Sequence, residues 1–220
     1  MHTSYMEKKK FVAEFLGTFA VVFCGTGAMV INAQTSGAVG HVGVAITFGL
    51  IVTSMIYALG DISGAHMNPA VTVAFFVDRR FSGNLVLPYV ISQLAGAAAA
   101  SSLLHLLFPA DELLGATRPA GSDVQSFILE LILTFFLMLV ILRVADGSNE
   151  KGLFAGLAIG MVVLLEAMFA GPICGASMNP ARSFGPALVT MNWTAFWLYV
   201  TAPIVGALSA VGVNRFMFER

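Results

Sequence analysis

Two stretches of this chain echo each other in a way that limits what it can fold into. Ala13-Glu14-Phe15-Leu16-Gly17-Thr18-Phe19 returns as Leu129-Glu130-Leu131-Ile132-Leu133-Thr134-Phe135, 116 residues later, and Asn68-Pro69-Ala70 returns as Asn179-Pro180-Ala181, 111 residues later. Echoes at two nearly equal long spacings indicate two homologous halves, here 11–108 and 123–218, within one domain covering 1–220. Each half holds three nearly uncharged stretches of spanning length: Phe11 to Ala33, Gly43 to Gly60 and Phe81 to Ala110, then Val124 to Leu142, Gly152 to Gly171 and Trp193 to Asn214. A helix of about 20 apolar residues crosses the hydrocarbon core of a bilayer. Three crossings per half force the second half to enter from the opposite face, which predicts an inverted repeat about an axis in the membrane plane.

Composition agrees with a membrane protein. With 58% hydrophobic and 10% charged residues and a mean hydropathy of +0.87, the chain has too little polar surface to cover a water-soluble domain. The first span is too long, and too well repeated downstream, for a cleaved signal sequence. If the N-terminus is cytoplasmic, Lys8, Lys9, Lys10, Arg79, Arg80, Arg143, Lys151, Arg215 and Arg220 all fall on that side, against Arg118 alone outside. The bias of basic residues toward the cytoplasm therefore puts both termini inside, in a multi-pass protein of the cell membrane. The formal net charge of -1 and the absence of a basic, aromatic-rich cluster exclude nucleic acid as a partner. Cys24 and Cys174 are the two cysteines; they make neither a disulfide framework nor a metal site, and no cofactor is implied.

The two Asn-Pro-Ala copies carry the chemistry. Their settings are Ser63-Gly64-Ala65-His66-Met67-Asn68-Pro69-Ala70-Val71-Thr72 and Cys174-Gly175-Ala176-Ser177-Met178-Asn179-Pro180-Ala181-Arg182-Ser183. Asn is a good helix N-cap and Pro is at home at the first helical position, so each copy starts a helix. The apolar segments that follow, Val71 to Val77 and Ser183 to Val189, are too short to span. Irregular backbone at membrane depth persists only where it is buried in protein or lines a wet cavity, so each loop with its half-helix predicts a pore wall. Both half-helix starts, with unpaired N–H groups and partial positive charge, then point at the bilayer centre and repel cations and excess protons. The amides of Asn68 and Asn179 are donors for a passing solute. The loop carbonyls of Gly64, Ala65, His66 and Met67, and of Gly175, Ala176, Ser177 and Met178, are acceptors.

Two such motifs in repeat register resemble the aquaporin and aquaglyceroporin (major intrinsic protein) family of water and small-solute channels. The resemblance covers essentially the whole chain, from Ala13-Glu14-Phe15-Leu16-Gly17-Thr18 to the segment around Pro203. It implies an all-α membrane fold of six tilted helices plus two re-entrant half-helices, and a homotetramer with one pore per protomer in the lipid bilayer. It also implies a narrow outer filter, which by spacing from the motifs falls on Phe48, Ala167, Ala176 and Arg182. One aromatic, two alanines and the arginine leave a wider opening than a strict water channel has. That set, together with Phe169-Ala170-Gly171-Pro172 and Tyr199-Val200, looks most like the nodulin-26-like subgroup. Ser183 and Ala187 resemble the water-channel pattern instead. The resemblance therefore implies passage of water, with glycerol or metalloid hydroxides such as arsenous, boric or silicic acid beside it; a strict water channel is the alternative.

The remaining polar residues each have two readings. Glu14 and Glu130 inside the membrane suggest a proton relay or ion site. Their repeat symmetry favours a supporting role, accepting from loop N–H groups that lack other partners. His66 is a loop-packing residue before it is a proton switch, and His41 and His105 are peripheral. Glu166, directly before Ala167, is a wall residue or a pH gate. Cys174, placed at the outer mouth, is expected to be open to aqueous thiol reagents, with Cys24 shielded inside its span. Inverted repeats with broken helices also build ion-coupled secondary transporters, but no acidic or hydroxyl cluster surrounds Asn68 and Asn179. A nucleophile, base or metal constellation for an enzyme is likewise missing from the sequence.

Overall fold

The computed structural model describes residues 2–145 and 152–218, and within these it is all α-helical. The first half contributes α1 (His2–Gln34), α2 (Gly40–Ser63), the short α3 (Pro69–Val77) and α4 (Gly83–Leu107). The second contributes α5 (Asp123–Ala145), α6 (Ala155–Cys174), the short α7 (Pro180–Val189) and α8 (Phe196–Phe218). Six of the eight are long and apolar enough to cross a bilayer. Of the basic residues used to orient the chain, Lys151 and Arg220 lie outside the described residues.

The short helices have 9 and 10 residues. At 1.5 Å per residue each is about 14–15 Å long, half a hydrocarbon core. Each begins directly on its proline, with Asn68 and Asn179 as extended N-cap residues whose side chains accept from the first turn. At the far end of α3, Arg215 from α8 donates to Val77 O and to Asp78 Oδ1, and Arg80 pairs with Asp78 at 2.6 Å. The last carbonyls of α3 thus face a cation, as the helix dipole favours.

The two halves interlock. α1 packs on α4, α5 on α8 and α2 on α6, while α3 leans on α8 of the second half and α7 on α4 of the first. The long pairs meet at glycines with almost nothing between the backbones. A Cβ built on Gly96 would stand 2.3 Å from Phe15 O, and one on Gly206 would stand 2.2 Å from Leu131 O. Gly49 and Gly160 bring α2 and α6 together in the same way. Lipid tails are as apolar as leucine, so helix pairs in a membrane gain by close packing, which small residues permit. Large apolar side chains such as Leu16, Leu50, Leu87, Phe136, Leu165 and Trp197 point outward.

The sixth element does not stop where a Gly-Pro pair suggests. α6 runs through Gly171-Pro172 to Cys174 and closes on Gly175, which is left-handed at φ 83°. Pro172 has no N–H for the carbonyl of Met168, four residues back, and the ring Nε2 of His41 lies 2.7 Å from that oxygen. His41 thus satisfies the carbonyl the proline leaves open. Its place is not merely peripheral.

Candidate functional site

The two loops that lead into α3 and α7 have the same backbone. Gly64, Ala65 and Met67 are left-handed (φ 84°, 47° and 50°), as are Gly175, Ala176 and Met178 (φ 83°, 40° and 53°). Non-glycine residues in this region cost about 1–3 kcal/mol each and persist where their surroundings hold them. Here the holders are carboxylates. Glu14 accepts from His66 N, Met67 N, the Ser63 hydroxyl and Gln93 Nε2, all within 2.9 Å. Glu130 accepts from Ser177 N and Met178 N, both at 2.7 Å. Both carboxylates are fully buried, so each depends on these donors. Two tyrosines do matching work one step earlier in the chain: Tyr89 donates to Ser63 O, and Tyr199 to Cys174 O, each at 2.8 Å.

The two half-helices meet start to start. Asn68 Oδ1 accepts from Ala70 N, and Asn179 Oδ1 from Ala181 N, both at 2.9 Å. The amide nitrogens then cross between halves: Asn68 Nδ2 donates to Met178 O and Asn179 Nδ2 to Met67 O, both at 2.8 Å. Each NH₂ has two hydrogens and so keeps one N–H for another acceptor. The carbonyls of Met67 and Met178 are already engaged by this crossing. Pro69, Ala70, Pro180 and Ala181, which follow the asparagines, are buried.

Asn68 and Asn179 border a cavity of about 190 Å³. Gly64, Ala65, His66 and Met67 line it from one loop, and Ala176, Ser177 and Met178 from the other. Phe48, Ala167 and Arg182 also border it, so the four residues singled out by spacing are brought to one space. Gly175 is the exception among the expected wall residues. It caps α6 against Thr117, which a Cβ there would approach at 3.1 Å, and its left-handed turn serves the helix end. The rest of the wall is apolar, with Val52, Ile56, Phe75, Leu137, Ile159 and Val163 among its members.

Arg182 is almost fully buried and held from two sides. Its Nη1 donates to Gly115 O at 2.7 Å, its Nη2 lies 3.2 Å from Met29 Sδ, and its Nε has no protein partner. The Cζ lies 5.2 Å from the centre of the Phe48 ring, within cation–π range. On the other loop, the ring of His66 is boxed by Phe75, Phe81 and Tyr89 at 4.8–5.2 Å, with Nδ1 3.2 Å from Thr72 Oγ1.

The expectation for the two cysteines changes. Cys174 is fully buried as the last residue of α6, with its thiol 3.6 Å from Ala170 O, and it does not border the cavity; Cys24 is the more open of the two. Helix continuation through Pro172 explains the difference, because it draws Cys174 out of the loop. Ser183 sits in a hydroxyl chain with Thr117 and Ser177, at 2.8 and 2.6 Å, and outside the cavity wall. Because Ser177 Oγ also donates to Asn179 O at 3.0 Å, hydroxyls do gather beside Asn179, contrary to the expectation from sequence. Glu166 is 8% exposed and has an Oε2 with no protein partner. Residue spacing missed Gly115, Met29, Gln93 and Tyr89, and the bond from Tyr199 to the loop. Of these, only Tyr89 and Tyr199 carried a signal, since they recur at nearly the spacing of the two asparagines.

This geometry has known counterparts. A family model described as "Major intrinsic protein" matches residues 1–213. "Aquaporin NIP1-3" of Oryza sativa subsp. japonica is 49% identical over 202 residues, covering 91% of this chain and 71% of the relative. "Nodulin-26" of Glycine max is 45% identical over 206 residues, covering 93% and 76%. Among solved structures, the aquaglyceroporin from Plasmodium falciparum aligns with a TM-score of 0.87 at 26% identity, over 96% of both chains. Helix order, paired half-helices and sequence agree, and the chain belongs to the major intrinsic protein family, the aquaporins, with nodulin-26-like proteins among its relatives.

Proposed function

We infer that the cavity between the two loops is the conduction path by which this membrane channel passes water and small neutral solutes. The observation that carries the reading is the meeting of two helix starts, Asn68 and Asn179, on one cavity that Arg182 also borders. A neutral solute with hydroxyl groups exchanges bulk water for the asparagine amides, the loop carbonyls and the arginine. A cation or excess proton meets two positive helix ends and a guanidinium instead. The inverted halves, 11–108 and 123–218, supply one helix start each.

Phe48, Ala167, Ala176 and Arg182 form the selectivity constriction in this reading. Two alanines opposite one aromatic leave room for glycerol or a metalloid hydroxide such as arsenous, boric or silicic acid. The apolar wall suits the carbon face of such solutes. Ser183, whose identity leans toward strict water channels, is engaged behind α7 and does not bear on solute size. Both termini are cytoplasmic, the host is the cell membrane, and the assembly is a homotetramer with a path through each protomer. Transport is passive, and no chemical transformation of the solute takes place.

Proteoliposomes without an ion gradient test this. Stopped-flow rates for water, glycerol, urea and arsenous acid are expected to exceed those of empty vesicles for water and for at least one larger solute. Water flux alone would make the protein a strict water channel; solute flux that required an ion gradient would make it a coupled transporter.

A further inference from the structure

We propose that a single turn of α1, Gly25 to Met29, sets the aperture of the constriction by seating Phe48, Gly115 and Arg182 together. None of the three seat residues, Gly25, Thr26 and Met29, borders the cavity. Each nevertheless fixes a residue that borders it or holds one that does.

At Gly25 the ring of Phe48 lies where a side chain would be. A Cβ there would stand 2.1 Å from Phe48 Cε1 and 2.5 Å from Cδ1 and Cζ. The missing side chain is therefore the socket of the ring. At Thr26 the partner is Gly115. A Cβ on Gly115 would approach Thr26 Cβ at 2.7 Å and Thr26 O at 3.2 Å, so the loop backbone rests directly on α1. Gly115 is left-handed at φ 69°, and its carbonyl accepts from Arg182 Nη1 at 2.7 Å. Met29 is four residues beyond Gly25, on the same helix face. Its Sδ, 3.2 Å from Nη2, holds the opposite edge of the guanidinium.

Phe48 and Arg182 face each other at 5.2 Å, and both positions are set by contacts to one helical turn. The socket holds the aromatic ring, and the Gly115 carbonyl and the Met29 thioether hold the two terminal nitrogens of the guanidinium. A thioether is a weak acceptor, so Nη2 is restrained at little cost in donor strength. Gly25 and Met29 are positioning residues that act through Phe48 and Arg182. The inference rests on the reading of those two as the constriction.

The test is a double-mutant cycle in proteoliposomes, read as the ratio of glycerol to water permeability. Gly25→Ala displaces the ring from its socket, and overpacking of this kind is expected to lower glycerol permeability about ten-fold while water falls far less. In a Phe48→Leu background, where the smaller side chain vacates the socket, Gly25→Ala is expected to change the ratio less than about two-fold. Met29→Leu keeps the volume and removes the sulfur acceptor. Nη2 is then free to swing into the opening, and the ratio is expected to fall about three-fold; this conservative variant carries the test alone if Gly25→Ala does not fold. Equal proportional losses of water and glycerol in Gly25→Ala and Met29→Leu, or an undiminished Gly25→Ala effect in the Phe48→Leu background, would overturn the proposal. A wild type that conducts neither solute would overturn the channel reading and this proposal together, and one that passes water but no glycerol would overturn this proposal alone, since no opening of glycerol width is then held. A conducting wild type whose ratio survives Gly25→Ala and Met29→Leu would overturn the α1 assignment alone.

Discussion

Asn68 Nδ2 donates to the main-chain carbonyl of Met178 at 2.8 Å, across the boundary between the two halves of the chain. Asn179 returns the bond to Met67 at the same distance. The centre of the molecule is thus stitched by two side chains that also cap the half-helices. Asn68→Asp keeps the cap oxygen for Ala70 N but removes the donor and sets an oxygen against an oxygen. A buried acceptor left in this state costs about 1–3 kcal/mol. The expected result is a lower thermal unfolding midpoint in detergent for Asn68→Asp and, independently, for Asn179→Asp. An unchanged midpoint in both would show that the crossing contributes nothing to stability.

Ion exclusion is the second expectation. Purified protein in planar bilayers is expected to give no single-channel current in potassium, sodium or acidic solutions, under conditions where vesicles from the same preparation pass water. Both helix starts and Arg182 oppose a cation. A resolved current in the wild type would be incompatible with this arrangement.

Ala167→His fills part of the opening left by two alanines. Glycerol permeability is expected to fall about ten-fold or more, with water falling less than half as much, since steric cost rises with solute width. Stopped-flow traces on matched vesicles decide the point, and equal proportional losses would take Ala167 out of the constriction.

The thiols make a fourth test. Cys174 is 0% exposed and helical, so a membrane-impermeant maleimide is expected to leave it unmodified in the native protein and to label it after denaturation. Water flux in Cys174→Ser is expected to match wild type, and mercurial sensitivity, where present, to survive that substitution. Native labelling at Cys174, read by peptide mass, would contradict the closed end of α6.

Glu14 holds four donors, and Glu14→Ala leaves the N–H groups of His66 and Met67 buried without partners. Loss of several buried hydrogen bonds to a charged group is expected to cost at least about 3 kcal/mol. The measurable outcome is a sharp fall in the yield of folded, detergent-stable protein. Glu14→Gln, which keeps one acceptor oxygen, is expected to fall between the two. Wild-type stability in Glu14→Ala would mean that the loop holds its left-handed residues unaided.

Much of the fold was legible because the bilayer imposes few solutions: apolar stretches of spanning length give helices, and an odd number per repeat gives inversion. The half-helices were legible from Asn-Pro, where cap and first helical residue adjoin. The end of α6 was not. Gly171-Pro172 carries a stop signal, yet the helix runs through it, as α4 and α8 run through Pro88 and Pro203, and the Met168 carbonyl it leaves open meets a distant histidine, His41. Misplacing that end moved Cys174 into the loop and Gly175 into the wall. The grip on Arg182 was equally hidden, because Gly115 and Met29 are remote from it in sequence and carry no motif. Their relation to Arg182 exists only once the loop after α4 has folded onto α1.

The glycines at which α1 meets α4, and α5 meets α8, leave backbone on backbone at Gly96–Phe15 and Gly206–Leu131. Such a joint has no side-chain cushion to compress or rotate. A side chain at either glycine would have to part the two backbones, so each of these helix pairs tolerates no substitution that adds even a methyl at its point of closest approach.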